Sequence, residues 1–295
     1  MSRPLIGLTL CLVTVFCGVT TGILVKQLSE DINVFSTMFF RFLFSLPLLF
    51  AYGLLLRGRK VLQINQRRAL VFRTIFGCFG MFFWFVSIRS MPFGIATALV
   101  QSSALFVTLL SPLLLRESVG IYRWSAVVFG FIGVLIITDP FKGEISWVTS
   151  YGLAAALAGA GLSLSLRQLG KGDEPVSVAC WYNFMAFSVL CIVMWLLPGS
   201  LEQIDNYIWS DLAFLGLIAF GMQISITTAY RYCDAVVVAS MRYIQMPVSA
   251  IFGYVIFSEV MSFNQIVGAT IIIASCLVIG WRELVRKKSV SEPSV

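Results

Sequence analysis

The chain of 295 residues is 59% hydrophobic and only 12% charged, with a mean hydropathy of +0.91. Soluble domains carry about 25% charged residues, so a water-soluble fold of this length has nowhere to hide so much apolar surface. The formal charge of +7 does not point to nucleic acid, because the basic residues flank apolar runs instead of clustering in a soluble domain.

Apolar runs long enough to cross a hydrocarbon core follow one another along the chain. The first five predicted spans are Leu5 to Val25, Val34 to Leu56, Ala69 to Ile88, Ile95 to Leu115 and Trp124 to Thr138. Five more are predicted at Ser150 to Leu166, Val176 to Leu197, Leu212 to Tyr230, Ala235 to Phe257 and Gln265 to Trp281. Met1 to Arg3 with the run from Leu5 lacks an A-x-A-like cleavage site before Lys26, so it is expected to be a span and not a signal peptide. Charge and turn residues punctuate the runs, as in Arg57-Gly58-Arg59-Lys60, Asp139-Pro140, Lys171 to Pro175 and Pro198-Gly199-Ser200. Trp124, Trp147, Trp209 and Trp281 fall at span ends, where an indole favours the headgroup zone.

With the N-terminus cytoplasmic, fifteen Lys and Arg residues fall in inner segments and three (Lys26, Arg89, Lys142) in outer ones, while Arg41, Arg73 and Arg242 lie within spans. The positive-inside rule then puts both termini in the cytoplasm and the chain in the cytoplasmic, or inner, membrane. Sliding the chain by 142 positions lays Arg89 on Arg231 and Glu117 on Glu259 without a gap. An odd number of spans per copy forces opposite insertion. The predicted fold is therefore an all-α integral membrane protein of ten transmembrane helices in two inverted five-helix repeats, joined around Asp139 to Thr149.

In each copy a long span closes on Glu and is followed by a polar turn and a short span containing Gly. The first reads SPLLLRESVGIYRWSAVVFGFIGVLII, Ser111 to Ile137, and the second GYVIFSEVMSFNQIVGATIIIASCLVIG, Gly253 to Gly280. On these motifs the chain resembles the drug/metabolite transporter superfamily and its ten-span EamA-type members, over nearly its whole length. Gly268 stands nine residues after its Glu where the first copy has Ala126, and Gly133 corresponds to Ser275, which departs from the family pattern at the level of helix packing. The resemblance implies an alternating-access carrier with a central cavity lined by the first four helices of each repeat. It also implies fifth and tenth helices that are scaffold or dimer-facing. EamA-type repeats are expected at 1–140 and 141–288, followed by a short cytoplasmic tail at 289–295. Family members export amino acids and toxic metabolites or import vitamins and nucleotide-like compounds, so direction stays open, as does the choice between monomer and homodimer.

Charged residues within spans cost roughly 2.5–3.5 kcal/mol each on insertion scales and are site candidates by default. Arg41 and Arg242 lie deep, whereas Arg73 is close enough to a span start to snorkel toward the inner headgroups. Two readings of the deep pair compete: they bind helix carbonyls and lock helices together, or they face a substrate carboxylate or phosphate. No Asp or Glu lies mid-span to neutralise them. Thr97, Gln101, Thr108 and Ser111 share a stripe of the fourth span, and Arg242, Gln245 and Ser249 share one of the ninth, either lining a cavity or packing helices. Trp84, Trp181 and Tyr182 are aromatics placed to wall a ligand. Pro247 frees a carbonyl near Tyr243, and Pro47, Pro112 and Pro247 are candidate hinges. Gly18 and Gly22 form a GxxxG that permits a close helix contact. The candidate substrate-binding set is thus Arg41, Trp84, Gln101, Tyr182, Arg242, Tyr243 and Gln245.

The sequence has no His, no HExxH and no mid-span carboxylate pair, and its seven Cys lie singly without a CxxC, so no catalytic residue, metal or cofactor is expected. The Cys are read as small buried hydrophobes. The chain shows no Walker loop either, so movement would draw on gradients or exchange. The expected function is a secondary transporter moving a small metabolite, such as an amino acid, organic anion or related zwitterion, by uniport or exchange. A proton-coupled exporter using Glu117, Glu259 or Asp234 is the alternative, with a non-transporting receptor or scaffold behind it.

Overall fold

A computed structural model describes residues 3–115, 120–138, 147–170, 172–196, 205–232, 238 and 241–291. Among them every long element is a helix. In chain order these are α1 (Arg3–Gln27), α2 (Val34–Arg57), α3 (Arg67–Ser90), α4 (Phe93–Gln101), α5 (Ser103–Leu115), α6 (Ile121–Thr138), α7 (Trp147–Leu169), α8 (Pro175–Leu196), α9 (Ile208–Tyr232), α10 (Gln245–Phe257) and α11 (Phe263–Ser291). Seven stretches are long and apolar enough to cross a membrane, and three shorter apolar helices accompany them. In lipid the backbone must satisfy its own hydrogen bonds, and that is why apolar runs of this length become helices. Side chains such as Phe16, Phe79, Phe129, Ile192 and Ile251 on the outside of the bundle fit a lipid solvent. The chain is a multi-pass integral membrane protein.

Two predicted spans are interrupted. The fourth breaks at Ser102, whose hydroxyl donates to the Leu99 carbonyl at 2.6 Å while its own N–H is shared between Ala98 and Leu99. In the ninth, Tyr243 and Ile244 form a turn before α10 begins, so Arg242 and Gln245 do not share one helix face. Pro247 consequently sits in the first turn of α10, where a missing N–H costs nothing. The Tyr243 carbonyl is also taken, accepting from the Met246 N–H at 3.2 Å. Pro47 lies inside an unbroken α2, and Pro112 falls in α5, its side chain outside the described residues.

The halves repeat their helix order. Helices α5 and α10 are both 13 residues long and start 142 positions apart, and α6 and α11 keep the same offset. Contacts come in mates: α3 lies along α7 as α9 lies along α1, while α2 crosses α8 and α6 crosses α11. Even the loops pair. The Asp173 carboxylate accepts the Asn65 N–H at 2.7 Å and the Gln66 N–H at 3.0 Å, capping α3. Its mate Asp31 accepts from the Tyr207 hydroxyl at 2.9 Å, just before α9, and that hydrogen bond pushes the phenol above its ordinary value.

The α6–α11 crossing resolves the glycine departures. A Cβ on Gly133 would stand 2.7 Å from the Gly268 carbonyl oxygen, and one on Gly268 would stand 2.6 Å from that of Gly133. One glycine from each half, at non-equivalent positions, serves a single backbone-to-backbone contact.

Candidate functional site

Three helices bring buried polar side chains together. On α2, Arg41 (4% exposed) and Ser45 (0%) are one turn apart on one face. On α3, Arg73, Gly77 and Trp84 recur at intervals of four and seven, forming one stripe. On α8, Tyr182 and Asn183 are both buried.

The Arg73 guanidinium lies 3.9 Å from the centroid of the Tyr182 ring, a cation–π contact. Gly77 makes room for this stack, since a Cβ there would be 2.7 Å from both Arg73 Nη1 and Tyr182 Cε2. Arg41 sits 5.0 Å from the Phe42 ring, with Nε and Nη1 buried and without a hydrogen-bond partner. The Phe42 ring in turn meets the Tyr182 ring edge-on, with 5.7 Å between centroids. Below Arg41, Ser45 Oγ donates to Asn183 Oδ1 at 3.2 Å, and Asn183 Nδ2 donates to the Ala179 carbonyl at 2.9 Å. An aromatic layer from α2, α3, α4 and α8, including Phe35, Phe39, Phe82 and Phe85, packs with Tyr182 and partly buried Trp84.

The remaining candidates lie elsewhere. Gln101 Nε2 donates to the Arg242 carbonyl at 2.8 Å, tying α4 to the segment before α10. Tyr243 and Cys276 are buried in one cluster, and Cys276 Sγ donates to the Gln101 carbonyl at 3.7 Å, within the apolar core of α4, α6 and α11. The Arg242 side chain is only half-buried. Gln245 is pressed against α1, where a Cβ on Gly18 would meet its Nε2 at 3.0 Å. Gly22 likewise faces the Phe93 ring, so the GxxxG serves a contact inside the chain. Thr97 and Thr108 return their hydroxyls to their own helices, at the carbonyls of Phe93 and Ala104. Trp181 donates to the Leu62 carbonyl at 3.1 Å and anchors the turn after α2.

Sequence reasoning leaves Arg73 out of the binding set because it can snorkel, and does not single out Asn183 or Ser45. Arg73 does not snorkel: it is 6% exposed and stacked on Tyr182. The heptad-like stripe with Gly77 and Trp84 carries the signal that α3 turns this face inward, and Asn183 occupies the same register position as Arg41.

At the end of the bundle where α1 and α10 finish, Lys26 forms an ion pair with Glu259 and donates to the Met91 carbonyl at 2.9 Å. The other carboxylate oxygen of Glu259 accepts the Phe93 N–H at 2.7 Å, at the N-terminus of α4. A helix N-terminus favours an anion. One carboxylate thus holds α1, α4 and α10 together. Nearby, Arg89 donates to the Ile32 carbonyl at 2.7 Å and to Thr37 Oγ1 at 2.6 Å, clamping α3 to the start of α2. Glu117 and Asp234, the other acids singled out in the sequence, lie outside the described residues.

The chain matches the model of the EamA-like transporter family twice, over residues 5–139 and 146–281. A riboflavin transporter of Brucella anthropi is 29% identical over 75% of this chain and 78% of its own length. A pseudopaline exporter of Pseudomonas aeruginosa is 27% identical over 92% of this chain and 94% of its own. An S-adenosylmethionine uptake transporter of Rickettsia prowazekii is 26% identical over 97% and 95%. One crystal structure shares the fold with a TM-score of 0.61 at 19% identity, covering 94% of this chain and 96% of the other.

Proposed function

This chain belongs to the EamA-like transporter family, a transporter of small metabolites and not an enzyme, and we propose that it is a secondary carrier working by alternating access. In this reading it has ten spans in two inverted five-helix halves, 1–140 and 141–288, with both termini on the cytoplasmic side of the cytoplasmic membrane. The fourth span is α4 with α5, and the ninth ends in α10. Paired contacts and the charge asymmetry of the loops support that arrangement. The 289–295 stretch is then a cytoplasmic tail.

The observation that carries the mechanism is the buried series Arg41, Phe42, Tyr182 and Arg73, with successive ring contacts at 5.0, 5.7 and 3.9 Å, where helices from both halves join. A site at such a joint changes its exposure when one half rocks against the other. The substrate is a small amino acid, organic anion or zwitterion held by Arg41 and Tyr182, with Trp84 and the phenylalanine layer above. The relatives' named cargoes, riboflavin, S-adenosylmethionine and pseudopaline, differ in chemistry and do not choose among these. The Lys26–Glu259 tie closes the outer end, and its release accompanies opening there.

Uniport or exchange is the mode this geometry favours. Among the described residues Asp211 lies in the first turn of α9 and Glu283 follows the apolar stretch of α11, and Glu259, the carboxylate closest to a proton-coupling role, is occupied in holding three helices. Counterflow in proteoliposomes loaded with a candidate metabolite tests the proposal. Uptake of labelled compound driven by unlabelled compound inside, with no pH gradient, is the expected result; absence of exchange across amino acids, organic acids and vitamins would return the chain to a receptor or scaffold.

A further inference from the structure

Where α2 ends and α3 begins, residues 57–68 read RGRKVLQINQRR, with five cations and no acid. The corresponding stretch of the second half, 142 positions on at 199–210, has Glu202 and Asp205 and no cation, so the repeated fold does not itself require this charge. Arg57 is engaged, donating to Ser177 Oγ at 3.2 Å and lying 4.0 Å from the Glu174 carboxylate. Arg59, Lys60, Arg67 and Arg68 are exposed, and none of the four has an ion pair among the described residues. The backbone that carries them is held along its length. Gly58, at φ +56°, donates its N–H to the Leu54 carbonyl and turns the chain out of α2 into a short 3-10 turn, Gly58–Leu62. Val61 is fully buried against Leu49, Ala179 and Cys180, and Gly53 leaves the space for it, since a Cβ there would be 2.7 Å from Val61 Cγ2. Trp181 of α8 holds the Leu62 carbonyl, Asp173 holds the Asn65 and Gln66 N–H groups, and Asn65 Nδ2 donates to the Gly172 carbonyl at 3.0 Å. A topology signal works through the number of loop cations and needs no such clamping. A binding site gains from it, because a loop ordered beforehand loses less entropy when a ligand arrives.

We propose that this clamped turn is a binding site for an anionic phospholipid, with the headgroup phosphate on Arg59 and Lys60 and the acyl chains along the end of α2. A guanidinium meets phosphate oxygens in pairs, and an ammonium meets them as a point charge. Arg67 and Arg68, at the start of α3 on the same membrane face, add to the positive field, which acts over about a Debye length of 8–10 Å. Leu54, Leu55 and Leu56, in the last turn of α2, are exposed on the outside of the bundle, and so is Leu62 beside the cations. Apolar surface for acyl chains therefore adjoins the charge that takes the headgroup. A zwitterionic lipid brings its own cation, which these four oppose, and a free phosphate leaves the leucines without a partner. Such a site needs only a chain embedded in a bilayer, so it stands or falls apart from the carrier reading.

The test is thermal melting of the purified full chain in a neutral detergent at constant ionic strength. The probes are dioleoylphosphatidylglycerol, dioleoylphosphatidylcholine and glycerophosphoglycerol, which is the anionic headgroup without acyl chains. A ligand that binds the folded state raises the melting temperature with its concentration. Phosphatidylglycerol is expected to raise it, phosphatidylcholine to need at least tenfold more for the same rise, and glycerophosphoglycerol to give no rise at matched concentration. The double variant Arg59→Gln, Lys60→Gln should bring the two lipids within about twofold of one another, while melting as the wild type without added lipid because both side chains are exposed. Trp181→Phe keeps every charge but frees the Leu62 carbonyl, and should cut the preference at least threefold. Equal responses to the two lipids in the wild type, or a preference that survives in the double variant, would overturn the proposal. A rise with glycerophosphoglycerol equal to that with the lipid would replace the lipid by a free anion and overturn it as well. An undiminished preference in Trp181→Phe would leave only a count of charges and discard the built site.

Discussion

At an offset of 142 positions Arg41 of the first half corresponds to Asn183 of the second, and Arg73 to Leu215, whereas Asp31 and Asp173 are the same residue type in the same kind of loop. The two halves therefore agree where helix ends are held and disagree where the centre is charged. A two-fold scaffold needs matching contacts so that it can rock between equivalent packings. A ligand of no particular symmetry needs a site that is not two-fold. Here both arginines come from the first half, while the second contributes the ring that stacks on Arg73, Tyr182, and the amide that meets Ser45, Asn183.

The largest effect should come from removing the asymmetric charge. Arg41→Gln is expected to weaken substrate binding by about a hundredfold, or about 2.7 kcal/mol, in the range for a buried charge-assisted contact. Asn183→Ala, at the register-equivalent position, removes the acceptor of Ser45 and should cost less than about threefold, the size of one neutral hydrogen bond. Equal losses in equilibrium binding for the two variants would mean that the site is shared evenly between the halves.

Next in size is the shared crossing of α6 and α11. Adding a methyl at Gly268 drives it into the Gly133 carbonyl and the backbone of Ile137, neither of which has a flexible end to give way. Gly268→Ala should lower stability by about 1–3 kcal/mol, the usual range for overpacking. The register mate Ala126 already carries that methyl, so Ala126→Gly should produce no matching gain in melting temperature. A stabilised Ala126→Gly variant would show that the crossing is not borne by Gly133 and Gly268.

How much of this was legible in the sequence follows from which forces act locally. Span existence, the repeat offset and the depth of Arg41 rest on hydropathy and spacing, which a linear sequence displays. The break at Ser102 was not legible, because a serine that turns its hydroxyl onto Leu99 looks like any small polar residue inside an apolar run. Arg242 was placed deep because the run from Ala235 to Phe257 reads as one helix, yet the turn at Tyr243 and Ile244 separates it from Gln245. The distance of Arg73 from a span start leaves snorkelling and cavity lining both open, and the deciding fact is the gap left by Gly77 for the Tyr182 ring, a tertiary contact. Cys78, read as a small buried hydrophobe, is partly buried and packs against the cluster that holds Tyr182. The Lys26–Glu259 pair joins residues more than two hundred positions apart, and charge patterning alone names no partner at that distance.

That tie gives the third prediction, which compares the end of the bundle with its centre. A half-buried ion pair with one backbone N–H is worth about 1 kcal/mol, or about fivefold in a two-state population. Glu259→Gln keeps an acceptor for the Phe93 N–H but loses the attraction to Lys26, so it should favour the outward-open form. Labelling of Cys78 by a membrane-impermeant maleimide added outside, read by peptide mass spectrometry, should rise about fivefold. Unchanged labelling at Cys78 together with unchanged exchange would assign the pair to helix anchoring alone.

The smallest effect separates the two paired loops. Asp173 is 9% exposed and accepts two backbone N–H groups at the start of α3, so Asp173→Ala leaves both donors without their acceptor and should cost about 1 kcal/mol. The mate contact, Tyr207 to Asp31, is solvent-exposed, and water replaces either partner without loss. Tyr207→Phe should therefore leave the melting temperature unchanged near neutral pH. The sign of any pH effect is fixed by the raised phenol: what little the hydrogen bond contributes is present below about pH 10 and is lost as the pH climbs through the folded value, so wild type and Tyr207→Phe should melt together at pH 7 and also at pH 11. A variant that melts several degrees lower at pH 7 would mean that the Asp31 loop carries as much of the fold as the Asp173 loop, and that the two-fold scaffold is closer to exact than the burial of its loops indicates.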